Sequence, residues 1–553
     1  MKRIRETTEE ATSEEKRFEA MIEEMWPRLR RKHLYPEIPI PRVGEITGDE
    51  DGEGERSEGV GLEMKQKQMT INPSFVSQLA ERMPEDKVIE ALLDHGITHY
   101  TFCPWDFHTH LKLYAEAKKV MGDRELAKQA SNYFIDIIAD TPCVKKRTTE
   151  IPAFHRQLKK RAVGEVIASL YQKIWGIDLG IEPKNQKHAD IVRRLARIPY
   201  LDRARWPESI QKFSRSMKVL LLEERSEEEQ QGGKGEGNPQ GEHDLSHYDS
   251  EEIDQGLRDY AKSTMGLSEF REVVEDFSEE LKEVGYGVES GMGRGRGAAI
   301  DADVLFYMKL AESYSIPIRK IPIEKQGFLH PHSHSPWEVG SPFQDLDVWT
   351  SFGKIMPGIS QVWKKRQGKG RGKIDGTPDC LIAIDSSGSM INPRKNLSYA
   401  VLGAACATNA YLRNGSKVAV YNFSDAPMGG KDTLEYTDKA EEIYRVLCKY
   451  FGGGTALELD DLLPLIQGRK NLDLFIITDM KITNLEVLIT FFAQLQNRIT
   501  AVHIGENPYA VRFQKAVEKR KNIHIFSVKR KEDIPLIVLG KITEYFNPTD
   551  RAT

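Results

Sequence analysis

Between residues 377 and 547 the sequence alternates short apolar runs with amphipathic stretches, and this restricts the fold more than any other feature. Strand-like runs occur at Leu381–Asp385, Lys417–Phe423, Leu472–Thr478, Ile499–Ile504 and Asn522–Val528. Helical patterns lie between them at Leu397–Leu412, Lys439–Tyr450 and Leu485–Gln496, and Gly415 is placed to cap the first. Strands that are apolar almost throughout must be covered on both faces, and intervening helices provide the cover. The expected fold is an α/β doubly wound parallel sheet.

In such sheets ligands sit beyond the carboxyl ends of the strands. The first apolar run ends in Asp385-x-Ser387-x-Ser389, which puts one carboxylate and two hydroxyls on a single turn. Gly452-Gly453-Gly454-Thr455 adds a glycine loop and a third hydroxyl, and the run at 472–478 delivers Asp479. Oxygen donors of this kind suit a hard cation such as Mg²⁺ or Mn²⁺, which keeps several waters and needs few protein ligands. Serines alone are common turn formers, so the specificity of the pattern comes from all three segments occurring in order.

This pattern resembles the metal-ion-dependent adhesion site of von Willebrand factor A-type domains, over roughly the last third of the chain. The resemblance implies that Ser387, Ser389 and Thr455 ligate the ion directly and that Asp385 and Asp479 act mostly through water. It implies a sixth position open to a partner's Asp or Glu. Met480 follows Asp479 where that family often has Gly, which would alter the turn.

The block at 62–222 reads as helical. Pro84 opens a helix carrying Val88, Ile89, Leu92, Leu93, Ile97 and Tyr100 at amphipathic spacing, with further helices at Lys112–Val120, Glu125–Asp140 and Gly164–Trp175. On the first of these, His95-Gly-Ile-Thr-His99 puts two imidazoles one turn apart, able to reach one metal. In zinc peptidases this spacing appears as His-Glu-x-x-His, and here Gly96 stands where the general base would be. Asn132, Asp136 and Asp140 share a stripe of another helix. The arrangement resembles proteins that pair a zincin-like domain with a von Willebrand A domain; in that comparison Asp136 is the third ligand of a Zn²⁺ held with His95 and His99. His108-Thr-His110 and His330-Pro-His332-Ser-His334 read as polar segments, the latter leading into an anchoring Trp337.

A chain of 553 residues exceeds one core and is expected to be multidomain. The expected parts are a charged arm and acidic linker at 1–61, a helical block at 62–222 and an acidic, glycine-rich linker at 223–256. A helical or irregular connection at 257–376 and the sheet domain at 377–547 complete the chain. A net charge of −5 argues against a dedicated nucleic-acid binder. The basic stretch Lys364–Lys373 lacks the P-loop glycine and Ser/Thr, and the glycines at 285–297 lack a preceding strand for a dinucleotide fingerprint. Met1–Met25 has no apolar core of the signal-peptide kind, and no run approaches a membrane span. Five cysteines without paired spacing read as buried thiols, and the default location is cytoplasmic.

These features favour a binding module over an enzyme. The resemblance extends to cytoplasmic proteins that work with AAA+ ring ATPases of the MoxR kind or in metal chelatases. The alternatives are a metallohydrolase at 62–222 regulated by the sheet domain, and a metal-chelatase subunit.

Overall fold

The computed structural model describes residues 2–44, 46, 59–64, 66–158, 160–231, 248–281, 301–314, 321–324, 329–338, 346–347, 351, 355–367, 373–425, 430–469, 472–504, 507–528 and 533–534. The chain divides into two units, Met1–Ser313 and Tyr314–Thr553.

The first unit is mainly helical. It begins with α1 (Lys2–Lys32) and a small sheet of β1 (Arg42–Val43), β2 (Val60–Glu63) and β3 (Gln68–Ile71) in the order β1-β3-β2. There follow α2 (Pro73–Leu79), α3 (Glu85–Thr101), α4 (Phe107–Met121), α5 (Arg124–Lys146), α6 (Ile151–Gln157), α7 (Ala162–Trp175), α8 (Gln186–Leu195) and α9 (Trp206–Gln231). The unit closes with α10 (Ser250–Thr264), α11 (Leu267–Asp276), α12 (Ser278–Leu281) and α13 (Ala302–Glu312). Sequence explains the starts and stops. Asp106 and Asp123 cap α4 and α5 by accepting the amides of Thr109 and Leu126, and Gly122 ends α4 in the left-handed conformation.

The structure corrects the expected boundaries. The charged arm is a helix whose Phe18, Ile22, Met25, Trp26 and Leu29 are buried at helical spacing, each burial worth about 1.5–3 kcal/mol. The expected linker at 223–256 is helical at both ends: α9 runs to Gln231, and an Asp249–Glu252 capping box starts α10. Residues 232–247 between them, most of the acidic linker at 45–58 and the glycines at 285–297 lie outside the described residues. Helices α10–α13 belong to the first unit, so the expected connection at 257–376 divides between the two.

The second unit contains β4 (Ile321–Glu324), β5 (Leu329–Pro336), β6 (Leu346–Asp347), β7 (Gln361–Gln367) and β8 (Lys373–Gly376), paired as β4-β8 and β5-β7-β6. The basic stretch thus lies partly on β7 and β8, and its residues 368–372 are outside the described ones. Then come β9 (Asp379–Asp385), α14 (Tyr399–Arg413), β10 (Val418–Phe423), β11 (Lys431–Thr437), α15 (Ala440–Leu447), α16 (Leu459–Ile466), β12 (Leu472–Thr478), α17 (Leu485–Gln494), β13 (Arg498–Ile504), α18 (Pro508–Val517) and β14 (Ile523–Val528). They form a six-stranded sheet in the order β11-β10-β9-β12-β13-β14, parallel except for the antiparallel edge strand β11. The chain order reverses at β9, which makes the β9/β12 junction the topological switch point. Leu381, Ala383, Leu474 and Ile476 join Leu462, Leu488 and Phe513 in one apolar core under the sheet.

Candidate metal centres

Register brings the predicted residues of the second unit together. Asp385 pairs with Phe423 of β10, and Ile384 pairs with Ile477 of β12, so Ser424, Asp385 and Asp479 follow one another along the carboxyl edge of the sheet. Asp385 Oδ1 accepts the Ser387 amide at 2.8 Å, and its Oδ2 accepts the Thr478 hydroxyl at 2.6 Å. The hydroxyls of Ser387 and Ser389 lie 3.2 Å apart. The glycine loop docks onto this turn: the Gly388 amide donates to Gly453 O at 3.0 Å, and the Gly452 amide donates to Ser386 O at 2.9 Å. Gly452 and Gly453 have φ of 70° and 78°, which side chains resist, so the loop's course depends on these glycines. Ser424, which sequence reasoning did not single out, fastens the loop by donating its hydroxyl to Gly452 O and Gly454 O. The amide and hydroxyl of Thr483 both donate to Thr455 O.

Asp479 is fixed from the other side, where Asn507 caps α18 and donates to the Asp479 carbonyl at 2.6 Å. The departure at Met480 is resolved by packing. Met480 adopts φ 63° while its side chain is buried in the core, so burial offsets a backbone strain of about 1–3 kcal/mol. Lys481 donates its backbone amide to Asp479 Oδ1 and pairs its ammonium with Oδ2 at 3.0 Å.

Burial at this edge is uneven. Asp385 is 3% exposed and Asp479 6%, whereas Ser389 is open to solvent. Burial raises the Asp385 carboxyl above its ordinary value; bonds from Thr478 and Ser387 pull it down, and the charge of Asp479 pushes it up. Two carboxylates and three hydroxyls make an all-oxygen donor set, which fits Mg²⁺ or Mn²⁺ and not a soft metal.

The first unit holds a different cluster. His95 and His99 project from one face of α3 with their Nε2 atoms 2.9 Å apart and their rings edge to face. His95 Nδ1 bonds Asp140 Oδ1 at 2.8 Å, and His99 Nδ1 donates to the Cys103 carbonyl at 2.8 Å. Asp136 Oδ1, one turn before Asp140 on α5, is 3.6 Å from His99 Nε2. Asp140 Oδ2 faces His155 Nε2 of α6 at 3.7 Å; His155 was not anticipated from sequence. Burial pushes the Asp140 carboxyl up, but His95 and His155 overcome it and hold the group well below the usual carboxylate range. Burial opposes protonation of His95, yet Asp140 and Asp136 outweigh it and raise its pKa. At His155 burial prevails over Asp140 and the pKa falls.

No base faces this cluster from position 96. A Cβ on Gly96 would lie 2.7 Å from Met69 Sδ and 3.0 Å from Leu62 Cδ2, so the β2–β3 hairpin occupies that space. Glu90 and Asp94 are committed elsewhere. Glu90 pairs with Arg28 at 2.5 Å and Lys32 at 2.9 Å, and Asp94 binds Lys32, His33 and the Thr149 hydroxyl. His33, Asp94 and Cys143 also cluster, but His33 Nδ1 accepts from the Arg147 guanidinium at 2.8 Å and its Nε2 faces Asp94 at 2.8 Å. A guanidinium only donates, so Nε2 carries the proton and the ring has no lone pair to offer a metal.

The other histidines singled out in the sequence do not converge among the described residues. His108 bonds Ser263, His110 is buried beside Tyr248, and His334 bonds Asp347 at 2.9 Å on strand β5, just before the buried Trp337. The side chains of His330 and His332 lie outside the described residues. All five cysteines are buried thiols. No described helix is long and apolar enough to cross a membrane.

No family model matches the chain, and no curated protein matches it. Among solved structures, the crystal structure of the SpRpn10 VWA domain is similar over 29% of this chain and 93% of that one, at 16% identity and a TM-score of 0.24.

Proposed function

We propose that residues 377–547 are a von Willebrand A-type interaction module that captures a carboxylate of a protein partner through Mg²⁺ or Mn²⁺. Asp385, Ser387, Ser389, Thr455 and Asp479 would hold the ion. The observation that supports this reading is the placement of Asp385 and Asp479, both buried, at the carboxyl ends of adjacent parallel strands, with Ser389 of the Asp385 turn exposed. Ligation by neutral hydroxyls leaves the ion a net positive charge toward solvent, which is the chemistry that attracts an Asp or Glu. Asp385, tied by Thr478 and Ser387, orients the turn; Ser424 and the glycine pair hold the loop that carries Thr455. The partner class we propose is an AAA+ ring ATPase of the MoxR kind, in the cytoplasm, and the role is binding and not hydrolysis.

The test is calorimetric titration of the full chain with Mg²⁺ and Mn²⁺, followed by capture of partners from the source cell. Asp385→Ala should lose divalent binding at this site, and EDTA or Ser387→Ala should reduce recovery of the ATPase. Equal affinity in wild type and Asp385→Ala would overturn the site. Metal-indifferent capture of every specific partner would overturn the mechanism.

A further inference from the structure

We propose that the turn at residues 355–360 is an anchor that enters an anionic phospholipid surface, independently of the sheet-edge metal site. Ile355, Met356 and Ile359 are 56%, 45% and 64% exposed, and Trp363, just after the turn on β7, is exposed as well. Single exposed apolar side chains are ordinary. Several on one turn mark a contact surface.

The backbone holds these side chains outward. The Ile359 amide donates to Met356 O at 3.2 Å, with Pro357 and Gly358 between them and Gly358 at φ 77°, the pattern of a type II turn. The Ser360 amide also donates to Met356 O, at 3.0 Å, and the Ser360 hydroxyl accepts the Met356 amide at 2.8 Å. The buried Trp337 fastens the turn, because the Gly358 amide donates to Trp337 O at 2.8 Å and the Trp337 amide donates to Ser360 O at 2.6 Å. The Gln361 amide donates to Ser351 Oγ at 2.8 Å. Every N–H from Met356 to Gln361 is thus bonded within the chain, and Pro357 has none. Moving this turn out of water strands no amide, which is the condition for entering hydrocarbon. Its shape is already set, so little ordering is lost on binding.

Charge selects the surface. Between Asp347 and Asp375 the sequence holds seven Lys or Arg and neither Asp nor Glu, in a chain whose net charge is −5. Lys364, Lys365 and Arg366 continue β7 directly from the turn. An aliphatic tip joined to a cationic run matches the two layers of an anionic leaflet: acyl chains take the tip, and headgroups attract the cations. Trp363 is of the residue type that favours the boundary between those layers. Ile and Met give nucleic-acid bases no ring to stack on, so the same cations beside this tip fit lipid better than a single strand.

The experiment is co-sedimentation of the full chain with vesicles, in EDTA so that no divalent ion bridges protein and lipid. Vesicles of phosphatidylcholine mixed with phosphatidylglycerol should carry the protein down, and phosphatidylcholine alone should not. Rising salt should weaken the binding. Replacing both Ile355→Ser and Ile359→Ser should lower affinity for the mixed vesicles by about tenfold or more, the scale of two aliphatic side chains left in water. The melting temperature should not move, because both side chains are exposed. Ile359→Leu, which keeps the apolar volume, should bind as the wild type does. Absence of binding to the mixed vesicles, or equal binding by the double variant, would overturn the proposal. Retention by an RNA homopolymer that also displaces the vesicles, undiminished in the double variant, would overturn it in favour of a nucleic-acid surface. Titration of the double variant with Mg²⁺ should match the wild type, so failure here is separable from failure of the site at Asp385.

Discussion

Thr478 on β12 donates its hydroxyl to Oδ2 of Asp385 on β9 at 2.6 Å, tying together residues 93 positions apart. The parallel register sets this contact, because Ile477 lies beside Ile384 and each following residue is the last of its strand. Thr478→Val keeps the shape and removes the donor. Loss of a hydrogen bond to a buried carboxylate should cost about 1.5–3 kcal/mol in stability of the second unit and weaken Mg²⁺ several-fold. Denaturant unfolding and calorimetry read the two effects. An unchanged Mg²⁺ affinity would mean that Ser387 alone orients Asp385.

Lys481 is the nearest described counter-charge of Asp479, with its ammonium 3.0 Å from Oδ2 and its side chain half exposed. Such exposed pairs are worth about 0.2–1 kcal/mol, so a cation entering the site displaces a modest interaction. Lys481→Gln should therefore tighten Mg²⁺ binding by roughly two- to fivefold at low salt, with the difference shrinking at high salt. Weaker binding in the variant would show that Lys481 helps the site instead of competing with the ion.

The pH dependence of the first unit should carry the signature of His33. Burial lowers its pKa below 6.5, with Arg147 and Lys32 adding to that and Asp94 opposing it. The unfolded state then binds a proton that the folded state refuses. The stabilisation is complete above pH 6.5 and is lost as pH falls through the lowered folded value. Melting temperature should drop on acidification, and His33→Gln should show a shallower drop from a lower starting point. His108 and His155, also lowered, keep the slope from vanishing. Parallel curves for both proteins would mean that the fold leaves the His33 pKa unshifted.

Two glycines should respond oppositely to alanine. A Cβ at Gly256 on α10 would lie 2.6 Å from Phe107 Cδ1 and 2.8 Å from Phe107 Cβ, so Gly256→Ala should cost about 1–3 kcal/mol. At Gly164 on α7 the nearest atom is Lys160 Cβ at 3.5 Å, and Gly164→Ala should gain up to about 1 kcal/mol from helix propensity. Chemical denaturation of both variants checks the pair; a stabilised Gly256→Ala would show that Phe107 can retreat.

How much of this was legible depended on periodicity. Strands β9, β10 and β12 were visible because burial on both faces makes them apolar almost throughout, and β12 begins and ends where its pattern does. The edge strand β11 was not, because Lys431–Thr437 alternates exposed and half-buried residues with no apolar run. Asp385, Ser387, Ser389, Thr455 and Asp479 were visible as strand ends and a glycine loop. Ser424, Thr478 and Asn507, which hold them, are ordinary polar residues until the register places them. Similarly, His155 carried no motif, since its tie to Asp140 depends on α6 folding back against α5. The charge of α1 concealed its five buried apolar residues, which helical spacing alone would have revealed.

The packing of Gly96 has a consequence for how this unit can change over time. A glycine codon is one base from a glutamate codon, so a hydrolytic general base would look a single mutational step away. Met69 and Leu62 close that step, because a side chain at position 96 meets them before it reaches the histidines. The hairpin residues would have to shrink first, each change loosening the core with no catalytic gain to offset it. The barrier to a general base at position 96 is the order of mutations, not their number.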